Sequence, residues 1–146
     1  MAQAGYYEAL RTHFTRALPH AHACGMQAGV LDATQAVLSL PYRETWLADA
    51  ERGFLHPGII TTLVDTASGL AVMAAAGQFE RIATIDLRMD YLRPALAPRE
   101  LHCRAECYRK TATIAFVRAT AWQDHPDEPV AVSQSAFMRM PLKAAR

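Results

Sequence analysis

Apolar and polar positions change rhythm several times along the chain. Near the N-terminus Tyr7, Leu10, Phe14 and Leu18 recur at spacings of three and four, which predicts a helix over about residues 4–18. Pro19 ends it, and residues 20–29 read as a connecting loop. Residues 30–40 (VLDATQAVLSL) read as a strand with a turn near its start, followed by an irregular, polar stretch from Pro41 to Phe54.

From Gly58 to Ala76 the pattern becomes almost continuously apolar or small, and Asp65 is the sole charge between His56 and Gln78. Pro57 suits a first helical turn and Gly77 a C-terminal cap, so this stretch is predicted to be one long helix. Four β-like stretches follow, at about 82–92, 100–109, 112–123 and 129–139, separated by Pro94 and Pro98, a tight break at Lys110 and the turn 124–129. Consecutive strands joined by short links predict an antiparallel meander. A helix nearly without charge on any side must be buried around most of its circumference. A curved antiparallel sheet wrapped around one central helix meets that demand. The expected class is therefore α+β with the hotdog architecture, in a single domain spanning 1–146, since no repeat or linker divides the chain.

Composition narrows the function. The 146 residues are 51% hydrophobic and 20% charged, an ordinary globular balance, and the net charge of +1 gives no field to draw nucleic acid or an anionic membrane. Pro57–Gly77 superficially resembles a membrane span, but Thr61, Thr62, Thr66, Ser68 and Gly69 make it too weakly hydrophobic. Cys24, Cys103 and Cys107 are an odd set, and the last two stand about 13 Å apart along one expected strand, so free thiols are predicted. The first ten residues lack the form of a signal peptide, which leads to an expectation of the cytoplasm. His20, His22 and Cys24 are of metal-ligand type, yet no second pair completes a site; neither metal nor cofactor is expected.

Asp65 stands out chemically. Burying a carboxylate on an apolar helix is costly, and packing gains nothing from it, so it is a candidate functional group. His56 and Gly58 lie at the helix entrance, where unpaired N–H groups and the positive end of the helix dipole can polarise a carbonyl. Nine residues of helix put Asp65 about 13 Å from His56 along the axis, so Asp65 must work with groups from another element or another subunit.

The stretch GFLHPGIITTLVDTASGLAV (53–72) resembles the signature of the PaaI-like, phenylacetate-pathway type of hotdog acyl-CoA thioesterase: Gly53, His56, Gly58 and Asp65 fall on its spacing. ATIDLRMDYLRPA (83–95) resembles the same family's strand ending in Tyr-x-Arg-Pro-Ala. The resemblance, covering roughly residues 30–139, implies hydrolysis of an acyl-CoA substrate. It implies Asp65 as general base or nucleophile, Thr84 positioning the water across a subunit interface, and His56 with the helix-entrance amides flanking the thioester. A homodimer, or a tetramer built from dimers, is implied as well. Two positions depart from the pattern. Pro57 replaces a glycine whose N–H contacts the thioester oxygen, leaving that contact to Gly58 or another amide, and Ala50 replaces an asparagine, with Asp49 one position away.

Arg88, Arg93, Arg109 and Lys110 are the cations expected to meet the phosphates of CoA, Arg93 foremost through its place in the strand motif. Met73, Met89, Met138 and Met140 are candidates for an acyl pocket. Two other readings compete with hydrolysis. One is a hotdog hydratase or dehydratase of acyl thioesters, suggested by His56-Pro57-Gly58. The other is a non-catalytic acyl-CoA-binding protein, suggested by the amide lost at Pro57.

Overall fold

The computed structural model describes residues 2–142. Helix α1 (Ala2–Thr12) runs into a π-helical turn, His13–Ala17, and after extended Leu18 a second helix follows, α2 (Pro19–Cys24). The sequence reading ended its helix at Pro19 and made 20–29 a loop; instead Pro19 opens α2. A missing N–H costs nothing at a first helical position. Gly25, at φ 75°, closes α2 in the left-handed region.

The single strand expected over 30–40 is a hairpin of β1 (Gln27–Leu31) and β2 (Ala36–Leu40). Asp32 makes the turn: its Oδ1 accepts the backbone N–H groups of Thr34 at 2.8 Å and Gln35 at 3.1 Å. The irregular stretch contains a small ribbon of β3 (Leu47–Asp49) and β4 (Phe54–Leu55). Then come α3 (Pro57–Ala76), β5 (Glu80–Tyr91), β6 (Leu101–Lys110), β7 (Ile114–Trp122) and β8 (Ala131–Pro141).

The main sheet runs β1-β2-β6-β7-β8-β5, antiparallel throughout. The expected meander of four is therefore one of three, β6 to β8. β5 lies beyond β8: the link 92–100, through Pro94 and Pro98, carries the chain past β8 and β7, whereas β6 joins β7 by a tight turn. Among the described residues β5 pairs only with β8 and its other edge is open; Ile85, at a break in the register, is 53% exposed.

α3 lies across β6, β7 and β2, burying Leu63, Val64, Ala67, Leu70 and Val72 almost completely. Each aliphatic side chain so buried contributes about 1.5–3 kcal/mol. By length and mean hydropathy (1.6) this helix could cross a membrane, but here it is the core helix. Its C-terminal end is firmly tied. Tyr6 donates its hydroxyl proton to the Met73 carbonyl at 2.7 Å, Lys110 donates to the Ala75 carbonyl, and Gly77 caps at φ 70°. Just beyond, the buried Glu80 carboxylate accepts two hydrogen bonds from Arg139, at 2.6 and 2.9 Å. Burial alone would raise the Glu80 pKa. The bonds from Arg139 and Gln78, with the charges of Arg139 and Lys110, outweigh it and hold the carboxyl below its ordinary value. All three thiols are free; burial pushes Cys103 up to about 12.

Candidate active site

Asp65 sits midway along α3 on the side facing β5. Thr84, on β5 immediately before the break in register, donates its hydroxyl proton to Asp65 Oδ1 at 2.8 Å. Both residues belong to the same chain, so this contact forms within one subunit. Asp65 is half-buried rather than enclosed. It lies at the rim of a cavity of about 290 Å³ that Phe14, Leu18, Gly69, Met73, Ile82 and Phe137 line.

The helix entrance is arranged differently. His56 caps α3, and its Nδ1 accepts the Gly58 N–H at 2.9 Å. The Ile59 N–H bonds the His56 carbonyl at 3.1 Å, and Pro57 has none to give. Gly58 is therefore not the free amide the sequence reading assigned to it. An accepting Nδ1 puts the proton of the neutral ring on Nε2, so His56 presents a side-chain donor where the motif expects a backbone one. Beside it lies a second cavity, of about 510 Å³, walled by Phe54, Leu55, Pro57, Ile60 and Leu92 with Arg93 at its border. The Tyr91 and Thr61 hydroxyls bond each other there. Asp49 is held by the Arg52 amide at 3.0 Å and the Arg52 guanidinium at 2.8 Å, so it does not stand in for the asparagine absent at Ala50.

The four expected phosphate-binding cations scatter. Arg93 alone borders the entrance cavity. Arg88 pairs with Asp90 at 3.4 Å on the outer face of the sheet, since its neighbours Leu87 and Met89 turn to the core. Arg109 is exposed at the end of β6, and Lys110 is spent on the C-terminus of α3. Of the methionines, Met73 lines the cavity below Asp65 and Met89 packs against the core, whereas Met138 and Met140 are exposed on β8. No cluster of three or more His, Cys, Asp or Glu suited to a metal occurs among the described residues.

Sequence reasoning named Met73 but missed the other cavity walls. Phe14 was visible only as one position of a helical stripe. Gly69 carried a signal that went unread: a glycine inside a helix costs about 1 kcal/mol against alanine, and such a residue usually marks a close packing contact.

Residues 52–130, more than half of the chain, match the profile of the thioesterase superfamily. A Halobacterium salinarum protein provisionally named an esterase is 36% identical over 106 residues, 68% of this chain and 70% of its own. The medium/long-chain acyl-CoA thioesterase YigI of Escherichia coli is 25% identical over 136 residues, covering 71% of this chain and 88% of its own. Among solved structures, a Pseudomonas aeruginosa protein superimposes with TM-score 0.82 at 38% identity over 92% of this chain and 99% of that one. The phenylacetic acid degradation protein PaaI of Thermus thermophilus does so with TM-score 0.73 at 25% identity over 84% and 99%. With its antiparallel sheet folded around a single core helix, this chain belongs to the thioesterase superfamily and has the hotdog fold.

Proposed function

We propose that the protein hydrolyses an acyl-CoA thioester, with Asp65 as the group that delivers the attacking oxygen. The observation that carries this reading is the Thr84–Asp65 hydrogen bond at the rim of an apolar cavity. Thr84 fixes one carboxylate oxygen, which leaves the other to act on water. As general base, Asp65 takes a proton from water while the water oxygen attacks the thioester carbon. The C–S bond then breaks, the acid leaves, and the CoA sulfur recovers a proton. As nucleophile, the carboxylate would itself attack and water would release the acyl group afterwards.

The oxyanion that forms on the carbonyl needs a donor. Within one chain the helix entrance is about 13 Å from Asp65 along the axis, too far to supply it. A homodimer, alone or paired into a tetramer, resolves this: a second copy brings its own entrance to the first copy's Asp65. The open edge of β5 next to Thr84 supports a joint at this place, since unpaired edges are normally covered. The donor in this arrangement is His56 Nε2–H. Arg93, beside the same entrance, would meet a CoA phosphate.

A second reading, binding of acyl-CoA without turnover, draws support from the entrance, where Pro57 lacks an N–H and the Gly58 amide is engaged. One screen separates the two: a panel of acyl-CoA esters with a reagent that reports free thiol. Release of CoA thiol from any ester above the uncatalysed rate is the expected result. Tight binding of the same esters with no thiol released would favour the binding protein.

A further inference from the structure

The cavity under the Asp65–Thr84 pair has the carboxylate at one end, apolar walls beyond it, and an opening to solvent. Asp65, Gly69 and Met73 are spaced by four residues on a single face of α3, so the cavity follows the helix from the carboxylate toward Met73, about 12 Å away along the axis. Ile82, two residues from Thr84 on the same side of β5, follows the same course, and Phe137 closes the sheet side. The remaining wall is His13, Phe14 and Leu18, the first two carried by the π-helical turn His13–Ala17. Such turns are rare and often sit at functional sites. Phe14 belongs to the N-terminal segment, outside residues 52–130 that match the superfamily profile.

Gly69 is where the walls come closest. A Cβ built there meets the Ile82 Cδ1 at 3.3 Å, the Phe14 Cε1 at 3.6 Å and the Phe137 Cε1 at 3.7 Å. A methyl group fits if the flexible end of Ile82 yields slightly. A branched side chain would drive all three neighbours into the cavity.

We infer that this cavity is the acyl-binding pocket, that it takes compact apolar acyl groups, and that Gly69 and Phe14 set the upper limit of size. The inference rests on the hydrolase reading above and adds the substrate class to it. A volume of 290 Å³, at about 30 Å³ per water-sized group, holds about ten non-hydrogen atoms. The larger apolar cavity at the helix entrance is the rival location; a second copy would bring it to Asp65, but Arg93 on its border suits it to the CoA side of the thioester.

The test is a ladder of straight-chain acyl-CoAs from acetyl to palmitoyl, run on the full chain. The wild type should be most active near a chain of about eight carbons and lose activity beyond about ten. Gly69→Val should cut kcat/KM for octanoyl-CoA at least about tenfold and change that for butyryl-CoA less than about threefold, the scale on which apolar pockets discriminate by methylene groups. Phe14→Leu should extend activity to longer chains. Gly69→Ala separates pocket from fold, because it should keep or raise the melting temperature while lowering octanoyl turnover. An unchanged chain-length profile in all three variants would overturn the inference, as would a profile that moves only with Ile60→Trp at the entrance. If the wild type hydrolyses none of the ladder, the hydrolase reading fails. The same variants titrated with the same acyl-CoAs then decide the pocket by affinity, with the same expected order and the same contradicting result.

Discussion

The two ends of α3 are built to different standards. At the C-terminal end the helix is tied by Tyr6, Lys110 and a left-handed glycine cap, with the buried Glu80–Arg139 pair one turn beyond. At the N-terminal end the ties are the His56 ring and the Thr61–Tyr91 hydroxyl contact, both at the surface and beside an open apolar cavity. Asp65 stands between them. One end is invested in holding the helix, the other in presenting polar groups. Variants at the first should therefore cost stability, and variants at the second should cost or gain rate.

The largest expected effect belongs to the C-terminal end. Glu80→Ala leaves the partly buried Arg139 guanidinium with the Thr111 carbonyl but without its carboxylate, and should destabilise the fold by about 1.5–3 kcal/mol, measured by denaturant unfolding. The pair also sets an acid limit. The Glu80 pKa is lower in the folded state than its ordinary value, so its contribution is fully present above the ordinary glutamate range and is lost as the pH falls through the folded value. Glu80→Gln should flatten the loss of stability below about pH 4.3. If that loss stays as steep as in the wild type, other carboxylates govern it.

Next comes the entrance. Pro57→Gly restores an N–H at the first helical position, and turnover should rise up to about tenfold, part of the 10²–10³ that a full oxyanion donor supplies. Unfolding free energy should fall by less than about 1 kcal/mol. A fall in turnover would mean that Pro57 serves the site. Thr84→Ala should follow, with turnover lowered about tenfold or less, because water can partly replace the hydroxyl. Tyr91→Phe should be the mildest, a change below about threefold in rate. A large loss of stability in either variant would break the contrast between the ends.

The same contrast bears on what the sequence could tell. The helix, its limits and the wrapping sheet were legible because a twenty-residue run with a single charge, and the alternating strands, carry the fold in their periodicity. The β5–β8 pairing was not, since pairing depends on where a long link leads. The Asp32 turn, hidden in an otherwise strand-like stretch, was read only as a bend near the start of one strand. For the candidate site, the motif spacing singled out Asp65, Thr84, His56 and Gly58. It could not show that Thr84 and Asp65 meet within one chain, or that the His56 ring occupies the Gly58 amide, because these depend on side-chain direction. Arg88 and Lys110 were chosen for charge alone, and tertiary structure sends them to the outer sheet face and the far end of α3.

The central claim is that Asp65 carries the chemistry, and Asp65→Asn tests it most directly. Asparagine keeps the size and can still accept the Thr84 proton, but it is neither base nor nucleophile. Melting temperature, acyl-CoA affinity and turnover should be measured on one preparation, with octanoyl-CoA as substrate. The account predicts a folded protein that binds the ester nearly as well as the wild type and turns it over at least about a hundredfold more slowly. A folded Asp65→Asn protein with near-normal thioesterase activity would contradict it.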